Sequence, residues 1–492
     1  MPNCSYGVEG CARHISSDPC GIVERMFEQA SPVVARLRAA SRAESQAAGQ
    51  RLAAIGELDL LWLRRFGERE TWCTDSHDAI TAEVAAALGI TQARAASYLE
   101  YARAMRLRLP GVGALLVAGD IDYRMFQTIV YRTDLITDPE VMAAVDAELA
   151  SRAPRWPALT QGRLGAQVDR IVARADRDAV RRRRERQADR ELSIFDHSDG
   201  LTEVFGRLFS TDARALDQRL DALAATVCAD DPRTRDQRRA DAVGALAVGA
   251  DRLACRCARP DCPAGTTPVP SPVVIHVVAS LDGSAPAPGS MIGADALIPA
   301  ELVADLAKSA KLAPLVHPAD SPPEAGYTPS QALADFVRCR DLTCRFPGCD
   351  RPAIDCDIDH AVPYADGGPT HASNLKCLCR LHHLIKTFWD WSDQQLPDGT
   401  LIWRSPSGQT YITTPGSALL FPNLCRPTGT LEPVPDRPRC AERSAKMPQR
   451  RRTRAQDRAN YINSQRRHNR QARQVASCGP APPAADDEPP PF

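Results

Sequence analysis

CRFPGCDRPAIDCDIDHAVPYADGGPTHASNLKCLCRLHHLIKT, residues 344–387, combines cysteines, an Asp-His pair, a lone Asn and a doubled His in one loop-rich stretch. Cys344 and Cys349 enclose RFPG, in which Pro347-Gly348 supplies a tight turn that lets two thiolates converge on one ion. Cys379 and His382 lie three apart. On a helix running from Asn374 to Thr387 they share a face and close a tetrahedral Cys3His site, for which the expected ion is structural zinc. Successive helical residues point about 100° apart, so with His382 turned to the zinc, His383 faces another way and one helical turn serves two sites.

The same stretch holds a second group. Ile358-Asp359-His360 reads as a strand ending before Pro363. A carboxylate and an imidazole, Asp359 and His383, suit a hard divalent ion that also holds phosphate oxygens, as Mg2+ usually is held. His360, not spent on metal, can take a proton from water, and Asn374 can brace the intervening loop through its backbone. Cys356 and Cys377 fall off the ligand spacing and read as buried apolar fillers.

The order Asp-His, Asn, His, with 14 residues from His360 to Asn374 and nine from Asn374 to His383, resembles the HNH (ββα-metal) endonuclease motif. The flanking cysteines resemble its zinc-stapled branch. By that resemblance Asp359 and His383 ligate a catalytic Mg2+ or Mn2+, His360 is the general base, Asn374 holds the loop, and Lys386 contacts phosphate. The implied reaction is phosphodiester hydrolysis leaving 5′-phosphate and 3′-hydroxyl ends. TAEVAAALGITQARAASYLEYARAM and the junction SQALADFVRCRDLTCRFPGC carry a further likeness. From about 50 to 320 the chain resembles the actinobacterial 13E12 repeat family, whose N-terminal part is domain of unknown function 222. In that family a helical region precedes an HNH module.

At 492 residues the chain is long enough for more than one domain. No apolar run approaches the roughly 20 residues of a membrane span. The N-terminus has neither a basic start nor an apolar core, so no export signal or membrane partner is expected and the cytoplasm is the default location. Seventeen cysteines is an odd number, and in such a chain thiols are expected to stay reduced, favouring metal ligation or burial over bridges. Between Arg437 and Arg473 thirteen Lys or Arg stand against Glu442 and Asp457, a local charge of +11 in a chain of net zero. A basic segment on an otherwise acidic body points to an anionic partner, most simply DNA, with RNA open as well. No oligomeric state is read.

The expected fold class is α+β: a mainly helical N-terminal domain, then a small ββα-metal zinc-stapled module and a disordered basic tail. The boundaries read are 1–48 for an N-terminal extension with a helix, 49–320 for the helical domain, 331–425 for the nuclease module and 430–492 for the tail. ELSIFDHSDGLTEVFGRLF, residues 191–209, reads as a hairpin packed on the helices, and 273–280 as a lone strand between prolines. A helix spans roughly 300–314, another starts at Gln331, and WDWSDQQLPDGTLIWRSPSGQTYITT reads as a hairpin turning at Pro397-Asp398-Gly399.

Other signals have plainer readings beside functional ones. Cys255, Cys257 and Cys262 lack a local fourth ligand, with Cys228 and His276 as distant candidates, and read first as residues packed at a helix end. Residues 81–106 have the pattern of a helix-turn-helix turning near Gly89, with a DNA-reading helix from Thr91, although any antiparallel helical pair needs that turn. Arg181 to Arg184 read as a solvated face. The tail, with Arg450, Arg451, Arg452 and Tyr461, reads as a non-specific nucleic-acid attachment. The competing function for the whole chain is a DNA-binding protein without catalysis.

Overall fold

The computed structural model describes residues 19–156, 158–181, 190–196, 201–257, 259–265, 276–279, 287–292, 297–307, 311–319, 321–429, 431 and 446–477. In chain order these form α1 (Pro19–Phe66), α2 (Ser76–Leu88), α3 (Gln92–Leu107), α4 (Pro110–Ala118), α5 (Tyr123–Thr133), α6 (Pro139–Arg152), α7 (Gln161–Ala175), the hairpin β1 (Glu191–Asp196) and β2 (Thr202–Arg207), α8 (Ser210–Ala224) and α9 (Arg235–Ala247). A small sheet of β3 (His276–Val278), β4 (Gly289–Ile292) and β5 (Leu297–Ile298) precedes α10 (Ala300–Ala307) and α11 (Gln331–Asp341). Then come β6 (Cys356–His360), β7 (Leu375–Cys379), α12 (Arg380–Phe388), the sheet β8 (Ser392–Gln395), β9 (Leu401–Arg404) and β10 (Thr410–Thr413), and finally α13 (Arg454–Ser477). The protein is therefore mixed α and β, with a mainly helical N-terminal region. Among the described residues no helix is long and apolar enough to cross a membrane.

The chain divides into two compact units, one of Met1–Leu61, Tyr98–Arg181 and Arg458–Phe492, the other of Trp62–Ser97 and Arg182–Asp457. These bounds differ from those read in the sequence, because the segment 62–97 belongs with the later half. The first unit is a helical core around Leu52, Leu99, Phe126, Ile129, Val168 and Val172. Asp59, fully buried there, is satisfied by Arg103 Nη2 at 2.6 Å and Arg106 Nη2 at 3.1 Å. Asp146 accepts from the backbone N–H groups of Gly111 and Val112, satisfying the first turn of α4 that its own N-cap leaves open.

The second unit holds the quoted stretch. Trp62, Trp72 and Trp389 cluster at ring distances of 5.3 and 5.8 Å from Trp389, whose Nε1 donates to Thr74 O, so α12 ends against the 62–90 segment. α2 closes with Gly89 in the left-handed region, and its turn packs on the Pro347-Gly348 turn; a Cβ at Gly348 would lie 2.5 Å from Ile90 O. Ser330 caps α11 by accepting from Leu333 N, as a Ser before an apolar-periodic run should.

Several expectations are corrected. The tail read as disordered from 430 contains α13, because its arginines find fixed acids: Arg454 Nε lies 2.7 Å from Asp75, and within the first unit Arg466 Nη1 lies 2.6 Å from Asp176. β1 and β2 pair as expected, Glu191 opposite Arg207, but Leu192, Ile194, Phe195, Val204 and Phe205 are exposed rather than packed on helices; residues 197–200 at its turn lie outside the described ones. The strand at 276–278, read as a lone one, pairs with β4, which in turn pairs with β5. The hairpin after Trp391 is three-stranded, because Gly408 at φ +88° permits a second turn beyond that at Gly399. Of Arg181–Arg184 only Arg181 is described, and it is bound to Asp134 at 2.9 Å.

Candidate metal centre

β6 and β7 pair antiparallel with Cys356 opposite Cys379 and Asp359 opposite Lys376, and α12 follows at once. The helix expected from Asn374 is split: Leu375–Cys379 is strand, and the helix starts only at Arg380. Cys379 thus stands at the helix N-cap and His382 in its first turn, which preserves their convergence. Cys379 Sγ lies 3.3 Å and Cys344 Sγ 3.6 Å from His382 Nδ1. With Cys349, the four ligand atoms all lie within 4.8 Å of one another. Phe346 stacks flat on the His382 ring at 4.1 Å and fixes its plane. Hydrogen bonds from Cys344 and Cys349 hold the Cys379 thiol far below its usual range, while burial pushes Cys344 up. Three soft sulfurs and one imidazole at these separations are a donor set that can hold a metal such as zinc. Cys356 and Cys377 are buried outside that group, as expected of fillers.

His383, next along α12, turns the other way. Its Nε2 faces Asp359 Oδ1 at 3.4 Å, while its Nδ1 is 2.8 Å from Asp357 Oδ2. Asp357 and Asp359 share a strand face by the two-residue period, so one carboxylate orients the imidazole and the other stands across from it. Asp359 Oδ2 is already engaged: Lys376 Nζ and Lys386 Nζ each lie 2.7 Å away. Both ammonium groups also reach buried Asp393, at 2.8 and 3.0 Å. Burial alone would raise the Asp359 pKa, but Lys376, Lys386 and His383 hold it well below the carboxylate range. Asp359 Oδ1 and His383 Nε2 are left as one oxygen and one nitrogen donor, a pair that fits a divalent ion.

Lys386, expected at a phosphate, is buried in this network and also donates to His360 O at 2.6 Å. Its role is to neutralise Asp359 and Asp393 and to tie α12 to the end of β6. Asn374 sits where the spacing placed it. Its Oδ1 accepts from Val362 N at 2.8 Å, and its Nδ2 donates to Val362 O and Pro369 O. The loop is held closed around Gly368, where a Cβ would lie 1.9 Å from Val362 O.

His360 ends β6, its ring stacked on Tyr327 at 5.4 Å with Tyr364 edge-on at 5.8 Å. Its Nε2 is 3.0 Å from Thr370 Oγ1, and Thr370 Oγ1 donates to Gly326 O at 2.6 Å. The single hydroxyl hydrogen is spent on that carbonyl, so Thr370 accepts from Nε2–H and the neutral ring carries its lone pair on Nδ1. Burial lowers the His360 pKa below the ordinary value and favours that neutral form.

Asp357, Thr370, Lys376 and Asp393 escaped the sequence reading. The alternation of Asp357 with Asp359 was the one local signal; the other three depend on register and tertiary contact. Of the three tail cations read as nucleic-acid contacts, Arg450 is held by Asp75 at 2.9 Å, whereas Arg451 and Arg452 are exposed, Arg452 at 3.8 Å from the exposed Asp457. A second thiol group also forms: Cys228 joins Cys255, Cys257 and Cys262, all four sulfurs within 4.8 Å of one another. Of the two distant candidates for a fourth ligand, the structure brings Cys228, 27 positions before Cys255, to the group, which the sequence reading took first as packing.

The chain is thus a mixed α and β protein with two thiol-rich groups able to hold metal. It belongs to the family defined by the domain of unknown function DUF222, whose model matches residues 39–341 and ends just before Cys344. It is 44% identical over 485 residues to the uncharacterized protein Rv3776 of Mycobacterium tuberculosis (strain ATCC 25618 / H37Rv), covering 92% of each chain. To the uncharacterized protein Rv2100 of the same strain it is 43% identical over 482 residues, covering 88% of this chain and 87% of the relative. No solved structure matches it.

Proposed function

We propose that residues 331–425 act as a zinc-stapled HNH endonuclease of the 13E12 type, hydrolysing phosphodiester bonds in DNA with a divalent metal. The observation that carries the reading is the facing of Asp359 Oδ1 and His383 Nε2 at 3.4 Å on a β-β-α turn whose loop is braced by Asn374. Asp359 and His383 hold the ion, and Asp357 orients His383. When bound, a Mg2+ or Mn2+ ion supplies positive charge to the phosphate and to the leaving oxygen. His360 takes a proton from the attacking water at Nδ1, since Thr370 keeps its Nε2 protonated. The new bond is water oxygen to phosphorus, and the bond broken is phosphorus to the 3′ oxygen, which leaves with the bonding pair and takes a proton from solvent, giving a 5′-phosphate and a 3′-hydroxyl. Cys344, Cys349, Cys379 and His382 carry structural zinc, which fits a reducing compartment such as the cytoplasm.

Supercoiled plasmid incubated with the purified protein tests this, with Mg2+, with Mn2+ and with chelator. Nicking or linearisation that needs metal and disappears in His360→Ala is the expected result. Retardation of the plasmid without strand breakage, indifferent to metal, would replace the nuclease by a DNA-binding protein and move attention to the α2–α3 turn.

A further inference from the structure

We propose that Cys228, Cys255, Cys257 and Cys262 bind a second, all-thiolate zinc ion that staples α8 and α9 to the loop after them, independently of any nuclease activity. Cys228 lies just beyond α8, and the other three sit on the loop 253–265. That loop is folded back on itself: Cys255 N donates to Gly265 O and Gly265 N to Cys262 O, both at 3.0 Å, with Gly265 at φ +76°. It is docked on the Cys228 turn by Leu253 N to Thr226 Oγ1 at 2.9 Å and Arg256 N to Asp231 Oδ2 at 2.9 Å. Arg233 binds Asp231, Asp241 and Ala254 O together, so the turn, α9 and the loop share one cation. Backbone and side chains therefore preset the four sulfurs.

Their separation discriminates between a metal and disulfides. Zinc–sulfur bonds of about 2.3 Å in a tetrahedron place sulfurs roughly 3.8 Å apart, whereas a disulfide needs about 2.05 Å. Cys228 Sγ lies 3.5 Å from Cys255 Sγ, and all four sulfurs lie within 4.8 Å of one another, one cluster rather than two bonded pairs. The surroundings also call for a staple. The buried cluster under this loop consists of Cys255, Cys257 and Ala264, backed by half-buried Val227, Cys228 and Cys262, so the would-be ligands make up most of that cluster. A cluster that small holds a loop of this length weakly without a cross-link. Four soft thiolates gathered this closely suit zinc, with iron the other common ion for such a donor set.

The test is metal content of the full chain purified under reducing conditions, measured for wild type, Cys257→Ser and Cys379→Ser. Two zinc ions per wild-type chain, and one in each variant, are expected. One zinc per wild-type chain, kept by Cys257→Ser and lost by Cys379→Ser, would overturn the proposal, as would iron in place of zinc. Should Cys257→Ser be insoluble, iodoacetamide labelling of the native wild type decides. Cys228, Cys255, Cys257 and Cys262 should resist labelling until a strong chelator is added. Labelling of half-buried Cys228 and Cys262 without chelator, or an intact mass showing their disulfides, overturns it.

Discussion

His360 illustrates how much of the proposed chemistry rests on one nitrogen. Thr370 holds Nε2 as a donor, and the Tyr327 ring covers one face, so the free lone pair is on Nδ1. His360→Ala should therefore lower the cleavage rate by about 10²–10⁴-fold, the usual contribution of a general base. Its thermal midpoint and plasmid affinity should stay near wild type; a variant that cleaves normally removes the mechanism. Asp357 acts one step further out, through the imidazole. Asp357→Asn leaves the ligands in place but weakens the hold on Nδ1, so the Mn2+ concentration giving half-maximal cleavage should rise about 10–100-fold. An unchanged metal titration would make the 2.8 Å contact of Asp357 with His383 a surface pair only. Thr370 does not announce itself in a single sequence and Asp357 does so only by alternating with Asp359, whereas His360, Asn374 and His383 do, because their order along the chain is the pattern itself.

At the level of elements, the junction of α11 with β7 and the last sheet is built on a buried charge triad. Asp341 Oδ1 lies 2.8 Å from Arg340 Nε and 3.1 Å from Arg345 Nη1, and its Oδ2 accepts from Cys377 N. Arg340 continues to Ala372 O and Leu375 O, and Arg345 to Gly399 O and Thr413 O, so the two guanidinium groups tie α11 to both ends of the module. Asp341→Ala would strand both cations in the interior and should destabilise the module by about 3–5 kcal/mol, read as a lowered denaturant midpoint. A loss below about 1 kcal/mol would show that water reaches the site. In the sequence, Arg340 and Asp341 look like an ordinary polar helix end. The ligand turns were legible because they are local, as at Pro347-Gly348. By contrast, β7 was read as the start of a helix, since LKCLC, buried throughout, shows no alternation to mark it as a strand.

For the molecule as a whole, charge was the signal most easily misread. Thirteen cations between Arg437 and Arg473 suggest a free polyelectrolyte, yet the described part of that segment spends many of them on acids within its own unit. Arg450 and Arg454 meet Asp75 in one unit; Arg466 meets Asp176, and Arg470 meets Asp178 at 3.1 Å, in the other. Those acids lie hundreds of positions away in sequence, which is why a local count of charge could not find them. The two kinds of cation separate by experiment. Each phosphate contact contributes about 0.9 to the slope of log affinity against log salt on duplex DNA. Replacing exposed Arg451 and Arg452 by Ala should therefore reduce that slope by about two, with the thermal midpoint unchanged. Arg466→Ala with Arg470→Ala should do the reverse, lowering the midpoint by several degrees, since about 1 kcal/mol shifts a unit of this size by roughly 2–4 °C, while leaving the slope alone. If instead the second pair lowers the slope and spares the midpoint, α13 lets go of Asp176 and Asp178 when DNA is present and its cations go to phosphate.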